Sequence, residues 1–241
     1  KAFDSAIKAQ EAFKASVMQF NKSILADAIK NNKPVVMVAS HPYHIDHLIH
    51  QQVSQMLSDL GVHVINEEIA YDGDIDGFDK YFAISQWEYP NRILQASWWV
   101  TQQDYEIGFV QLNSFGCGPD SFIMDEVEDI AKQANCTYSL IRIDEISSPG
   151  STKLRLRSLV ESLRLKIEKR TKSFEAKDAH RKLPSFGEED KKRTILLPWF
   201  SDFHSPFMPT LGKMLGYNIE NLPPSTQASI ENGLAYANNE I

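Results

Sequence analysis

The sequence predicts an α/β fold: a mostly parallel sheet with helices on both faces, Rossmann-like or flavodoxin-like, followed by the truncated start of a second α/β domain. Short continuous apolar runs, such as residues 34–40 and 107–115, are typical of strands buried on both faces. These runs alternate with stretches of helical periodicity, which is the pattern of βαβ units. Ligands in such folds bind at the carboxyl ends of the strands, so we expect functional residues in the loops at that edge.

The individual elements follow from periodicity and from helix-ending residues. Apolar residues at helical spacing predict a first helix over residues 2–31, which Asn32 and Pro34 end. Asp120 is placed to cap a later helix. After the first helix, the predicted elements are strand 34–40, helix 47–61, strand 62–68, helix 91–103, strand 107–115, helix 120–134, strand 137–145 and helix 151–170, with residues 71–90 mainly loop.

The chain divides into four predicted segments. Residues 1–33 form the N-terminal helix, and 34–170 the α/β domain. A charged stretch with proline and glycine, 171–192, is predicted to be a linker. Residues 193–241 are predicted to be the incomplete start of a second α/β domain, with a strand at 193–200, a helix at 205–216, an extended piece at 217–222 and a helix at 225–241.

Composition excludes several classes of protein. The net charge of -7 and the pI near 5.5 argue against nucleic-acid binding. No apolar run approaches the ~20 residues of a membrane span, and no signal-peptide pattern opens the chain. Two cysteines in 241 residues are too few for a disulfide framework, so we expect a cytoplasmic protein. The first residue is Lys1 rather than methionine, and we expect the chain to be a fragment of a longer polypeptide.

The segment HPYHIDHLIH carries four histidines, His41, His44, His47 and His50, together with Asp46. Histidine and carboxylate are ligands for zinc and other first-row ions. However, a spacing of three drifts around a helix of 3.6 residues per turn, and no HExxH pattern is present. The alternative is that this strand-to-helix corner lines a pocket, where Tyr43, His44 and Asp46 would contact a substrate or partner.

A second segment, NSFGCGPD, places Cys117 between Gly116 and Gly118. It matches neither a nucleophile elbow nor a dinucleotide-binding fingerprint. Adjacent glycines reduce crowding around the sulfur, and a following helix N-terminus would lower the pKa of the thiol. A metal or cluster ligand, a redox thiol and a structural turn all remain open. The other cysteine, Cys136, is predicted to be a small buried residue.

A third segment, SSPGSTKLRLR, opens a basic helix. The N-terminus of this helix could hold an anion through Ser148, Gly150, Ser151 and Lys153, although the Walker pattern is absent. The alternative is a solvated helix face with its leucines inward.

Together these segments have a family resemblance. Five segments occur in this order along the chain: SHPYHIDHLIH, WEYPNRILQAS, VQLNSFGCGPDSFIMDEV, LIRIDEISSPGSTKLRLRSLVESL and GLAYANNEI. The chain resembles the activator-type proteins, or CoA-substrate-specific enzyme activases, that are related to (R)-2-hydroxyglutaryl-CoA dehydratase. It would be a dehydratase-like region of such a protein.

The resemblance implies a fragment of an ATP-dependent reductive activase that transfers a low-potential electron. Cys117 matches a family cysteine inferred to be an iron–sulfur ligand, whereas further family cysteines lie outside this sequence, so the cluster site is incomplete here. Tyr43, His44 and Asp46 match a Pro-Tyr-His-x-Asp corner. Where the family usually has Gly-Arg before that corner, this chain has Ser40 and His41.

The implied partners are the protein's own nucleotide-binding activator domains, through which ATP would act, and an acyl-CoA dehydratase or other reduced acceptor. The resemblance leaves a homodimer open, and the fragment alone is expected to be inactive. Two alternatives remain: a non-catalytic module that docks an activator onto its partner, and a zinc-dependent enzyme that uses the His41–His50 segment.

Overall fold

The computed structural model describes residues 1–46, 48–49, 51–71, 87–114, 116–143, 148–169 and 186–236. The chain divides into two compact units, Lys1–His180 with Glu240–Ile241, and Arg181–Asn239. The predicted linker, 171–192, lies mostly outside the described residues, so its boundaries stay a prediction.

Helices and strands alternate along the described chain. The helices are α1 (Ala2–Asn31), α2 (Val53–Asp59), α3 (Glu88–Thr101), α4 (Gly118–Gln133), α5 (Pro149–Lys169), α6 (Met208–Met214) and α7 (Gln227–Leu234). The strands are β1 (Val35–Ala39), β2 (His63–Asn66), β3 (Ile107–Ser114), β4 (Tyr138–Ile143), β5 (Thr194–Leu197) and β6 (Asn218–Asn221). Among the described helices, none combines the length and apolar character that crossing a bilayer requires.

The first unit contains a four-stranded sheet in the order β2-β1-β3-β4, in which every pair is parallel. This confirms the predicted fold class. The chain moves from β1 to β2 on one side and then crosses back to β3 on the other side of β1. The strand order therefore reverses between β1 and β3, which is the place where open α/β sheets bind ligands.

Helices cover both faces of this sheet, because alternate residues of each buried strand point to opposite sides. Val35, Met37 and Ala39 of β1 belong to a core that also contains residues of α1, α3 and α4. Val36 and Val38 belong to a second core, formed with α2 and α5. The apolar run of β1 is continuous because both of its faces are buried.

The helix predicted at 47–61 was wrong at its start, since α2 begins at Val53. Oδ1 of Asp46 accepts hydrogen bonds from the backbone N–H groups of Leu48 and Ile49, which favours a turn. Gln51 and Gln52 then have φ angles of 51° and 61°, in the left-handed region. A right-handed helix cannot continue through these residues.

The capping role predicted for Asp120 was also wrong. Helix α4 begins two residues earlier, at Gly118, with Cys117 at the N-cap position and Pro119 in the first turn. Proline suits this place because the first N–H groups of a helix have no intrahelical partner. Asp120 is thus inside the first turn, where its carboxylate suits the helix dipole.

The second unit contains β5 and β6, which pair in parallel with α6 between them in the chain. Its α/β character agrees with the prediction. The helix predicted at 225–241 was wrong at its end, because α7 ends at Leu234 with Ala235 as its C-cap; residues 237–241 lie outside the described part. Gly212 lets α6 approach β6 closely: a Cβ there would lie 2.5 Å from Cδ1 of Ile219.

Gly108 of β3 lies where α5 packs on the sheet, so substitutions at this position test that packing. A Cβ at Gly108 would lie 3.2 Å from Val36 Cγ2 and 3.3 Å from Leu163 Cδ2. We expect Gly108→Val to lower the free energy of unfolding by about 1–3 kcal/mol through overpacking, and Gly108→Ala to lower it less. Urea denaturation followed by far-UV circular dichroism measures both. Valine has the higher strand propensity, so a stabilised Gly108→Val variant would contradict this packing.

Candidate functional site

Three potential metal ligands converge at the carboxyl edge of the sheet, at the reversal between β1 and β3. His41 follows β1, Cys117 follows β3, and Asp120 lies in the first turn of α4. One donor atom from each lies within 4.8 Å of the other two. Nε2 of His41 and Oδ1 of Asp120 are 2.5 Å apart. The three residues offer nitrogen, sulfur and oxygen, the donors that first-row metal ions take.

The carboxylate of this cluster is deeply buried. Asp120 is 0% exposed and His41 is 8% exposed. Oδ2 of Asp120 has no hydrogen-bond partner of ordinary geometry among the described residues. Burying a carboxylate costs free energy unless each oxygen finds a partner, so His41 compensates only part of this cost.

Cys117 is partly exposed, and its thiol lies beside Asp120 and Tyr43. Burial raises the pKa of the thiol; the backbone N–H of Asp120 opposes this effect, and the negative charge of Asp120 adds to it. The prediction that the helix N-terminus lowers the pKa of this thiol was therefore wrong. Desolvation of the thiolate raises the pKa by more than the N-terminus of α4 lowers it. On both sides of Cys117 there is room, since a Cβ at Gly116 or Gly118 would meet no described atom within 4 Å.

Tyr43 and His44 lie against the same cluster through Ser114, the last residue of β3. Nε2 of His44 is 3.0 Å from Oγ of Ser114, whose hydroxyl donates to the Tyr43 hydroxyl at 3.3 Å. The Tyr43 ring stacks on His41, with 5.2 Å between ring centroids. His44 is buried, whereas Tyr43 is exposed along part of its ring. Burial raises the pKa of Tyr43, and the hydrogen bond with Ser114 opposes this.

Other predicted site residues lie apart from this cluster or outside the described residues. Asp46 is exposed, and its described hydrogen bonds are those that form the turn after β1. His47 and His50 are outside the described part of the chain. The residues of the predicted anion loop are all exposed: Ser148, Gly150, Ser151 and Lys153. They lie at the start of α5, and their anion-binding role stays a prediction.

Cys136 lies at the opposite edge of the sheet. Its Sγ donates to the carbonyl oxygen of Ile107, the first residue of β3, at 3.5 Å. Cys117 follows the other end of this eight-residue strand, which at ~3.3 Å per residue is roughly 23 Å long. The two cysteines therefore cannot bind the same metal centre within one chain.

A cavity of about 330 Å³ lies next to the cluster, on the far side of His44. Its apolar lining includes Val17 of α1 and the strand residues Val38 and Leu112. Asn21 of α1 fixes this wall, because its side chain donates to Oδ1 of Asn66 at 2.7 Å and accepts from the Asn66 backbone N–H at 3.0 Å. The volume lies at the lower end of the range for small-molecule pockets.

Glu67 lines this cavity, and sequence reasoning missed it. Burial raises the pKa of its carboxyl to about 7, although its own backbone N–H and the positive charge of Arg92 oppose the shift. Arg92 forms an ion pair with Glu68, and its guanidinium lies 4.9 Å from the Tyr71 ring centroid. The only sequence signal was two adjacent acidic residues at the end of a strand, which more often indicate a solvated turn.

Glu67 gives the first unit a specific pH dependence. Between pH 4.5, its unperturbed pKa, and about 7, the folded state holds a proton that the unfolded state releases. The free energy of unfolding should therefore fall as pH rises through this window. Glu67→Gln should remove this fall, a relative gain on the order of 3 kcal/mol at pH 8 compared with pH 4.5.

Urea midpoints from pH 5 to pH 8 measure this difference. Glu11→Gln, which removes an exposed carboxyl of α1, is the matched control. A Glu67→Gln variant whose stability follows the wild-type pH profile would contradict the assignment of Glu67.

Residues 1–69 match the profile described as "CoA enzyme activase uncharacterised domain". No curated protein and no solved structure matches the chain. The matched stretch includes His41, Tyr43, His44 and Glu67, whereas Cys117 and Asp120 lie beyond it. Through its first 69 residues, the chain is thus similar to a domain of CoA-enzyme activases.

Proposed function

We propose that this chain is the dehydratase-like α/β region of an ATP-dependent reductive activase of the 2-hydroxyacyl-CoA dehydratase type. In this role Cys117 helps to hold an iron–sulfur cluster that transfers low-potential electrons. The match over residues 1–69 and the motif resemblance along the chain support an activase role. The observation that carries the cluster assignment is the partly exposed Cys117 thiol at the strand-order reversal, with open space beside both neighbouring glycines.

The donors of this chain fit such a cluster only in part. Clusters are normally held by several thiolates, and the sequence contains two cysteines, of which only Cys117 lies at this edge. The remaining thiolates must therefore come from outside this sequence. ATP would act through nucleotide-binding domains that are likewise outside it, and the electron would pass to an acyl-CoA dehydratase or another acceptor.

The residues around Cys117 would position groups and restrict water. His44 and Tyr43 hold the Ser114 hydroxyl between them, which gives a wall of hydrogen-bonding groups beside the thiol. Such a wall can hold or transfer a proton at the Tyr43 oxygen. Asp46 would act indirectly, because its carboxylate fixes the turn that follows Tyr43 and His44.

The test uses the parent polypeptide, purified without oxygen and analysed for iron and acid-labile sulfide with a visible spectrum. We expect both elements in the parent and a loss of both in Cys117→Ala. Cys136→Ala is the matched control and should keep them, because Cys136 lies at the other edge of the sheet.

Absence of iron and sulfide from the parent and from both variants would contradict the proposal. The glycine-flanked cysteine would then be a turn in a module that docks an activator onto its partner.

A further inference from the structure

We propose that His41, Cys117 and Asp120 form a three-donor site for one divalent first-row cation, Zn²⁺ or Fe²⁺, which this chain binds by itself. The inference rests on the proposed function in one respect, that Cys117 is a metal ligand. Because one thiolate cannot serve both centres at once, the ion would occupy this position when no cluster is bound. It differs in requiring neither inorganic sulfide nor a thiolate from elsewhere. The fourth coordination position would remain open to solvent or to a small ligand.

The geometry of the three donors suits such an ion. Zinc takes a nitrogen at 2.0–2.1 Å, a sulfur at about 2.3 Å and a carboxylate oxygen at about 2.0–2.2 Å, so tetrahedral ligands lie roughly 3.3–3.7 Å apart. The present donors all lie within 4.8 Å of one another, and the His41–Asp120 pair is 2.5 Å apart. A shift of about 1 Å at each side chain therefore brings them to coordination distances.

The charges balance as well. A thiolate and a carboxylate carry two negative charges, and a neutral imidazole carries none, so a divalent cation makes the complex neutral. Binding releases the thiol proton to solvent. Neutrality matters because Asp120 is fully buried, and an uncompensated charge at that depth is costly.

An independent observation also points to a bound cation. Oδ2 of Asp120 is buried and has no hydrogen-bond partner of ordinary geometry among the described residues, although the Cys117 thiol lies beside this carboxylate. Buried carboxylate oxygens are otherwise paired, so an orphaned one is a sign of a missing partner. A cation between Asp120 and Cys117 would supply that partner.

The surroundings of the site limit its access. The Tyr43 ring stacks on His41, and the Tyr89 ring centroid lies 6.0 Å from that of His41. Beside Cys117, the space next to Gly116 and Gly118 is open in the described structure. Three protein ligands with one open side are typical of catalytic rather than structural zinc sites.

The test is a titration of the full 241-residue chain, with its thiols reduced, by Co²⁺ as a spectroscopic probe for zinc. We expect one Co²⁺ per chain, a thiolate-to-cobalt charge-transfer band, and displacement by Zn²⁺. Cys117→Ser should lose the band. His41→Ala and Asp120→Asn should each weaken binding by at least roughly 100-fold, because even contacts behind a ligand contribute about 10–100-fold.

Each ligand variant has a matched control elsewhere in the first unit. Cys136→Ser and His63→Ala alter residues at the amino edge of the sheet, and Asp129→Asn alters an exposed carboxyl further along α4. All three should bind Co²⁺ as the wild-type chain does. Circular dichroism establishes that each variant is folded. If Asp120→Asn does not fold, the Co²⁺ spectrum of the wild-type chain and the Co²⁺ affinity of His41→Ala test the three-donor site.

The outcomes separate this inference from the proposed function. A wild-type chain that binds no Co²⁺ at micromolar concentration overturns the three-donor site. The iron and sulfide analysis of the parent polypeptide remains the test of the cluster. Binding that depends on Cys117 but not on His41 or Asp120 also overturns the three-donor site, while it leaves Cys117 a metal ligand.

Discussion

The parallel pairing of β1 with β3 is the constraint on which the candidate site depends. It aligns Val35 with Ile107 and Ala39 with Gln111, so both strands run to the same edge and β3 continues to Ser114, three residues beyond the end of β1. The segments that follow them are 79 residues apart in the chain at His41 and Asp120, yet they meet at one edge. A shift of one residue in this register would send the side chains of one strand to the opposite face of the sheet. Both cores depend on that alternation.

The edge also holds two acidic groups that are expensive to bury. The charge of Asp120 is compensated in part by His41, and that of Glu67, which is half-buried in the wall of the cavity, is compensated in part by Arg92. Natural proteins keep poorly compensated groups chiefly where a site needs them, since elsewhere a neutral residue would be more stable. His44 lies between these two places, because it lines the cavity and contacts Ser114. The cavity and the metal-ligand cluster are therefore neighbouring parts of one edge.

Local patterns predicted the architecture and the edge but not the contacts across it. The continuous apolar run of β1 and the alternation of elements were sufficient for the parallel fold, and the position of Cys117 after β3 indicated the edge at which to look for a site. The late start of α2 was missed because left-handed Gln51 and Gln52 have no strong sequence signal. Asp120 has the sequence of a helix cap, and its pairing with His41 depends on a register that no local pattern specifies. The burial of Glu67 is likewise a property of the packed α1 and β2.

Metal-edge X-ray absorption of the zinc-loaded chain measures most directly whether Cys117, His41 and Asp120 meet at one ion. We expect one sulfur scatterer at about 2.3 Å and two or three nitrogen or oxygen scatterers at about 2.0–2.1 Å. This is the shell that Cys117, His41 and Asp120 would give at one ion. A shell of light atoms alone, or a shell with several sulfurs, would contradict the convergence of these three residues at the carboxyl edge.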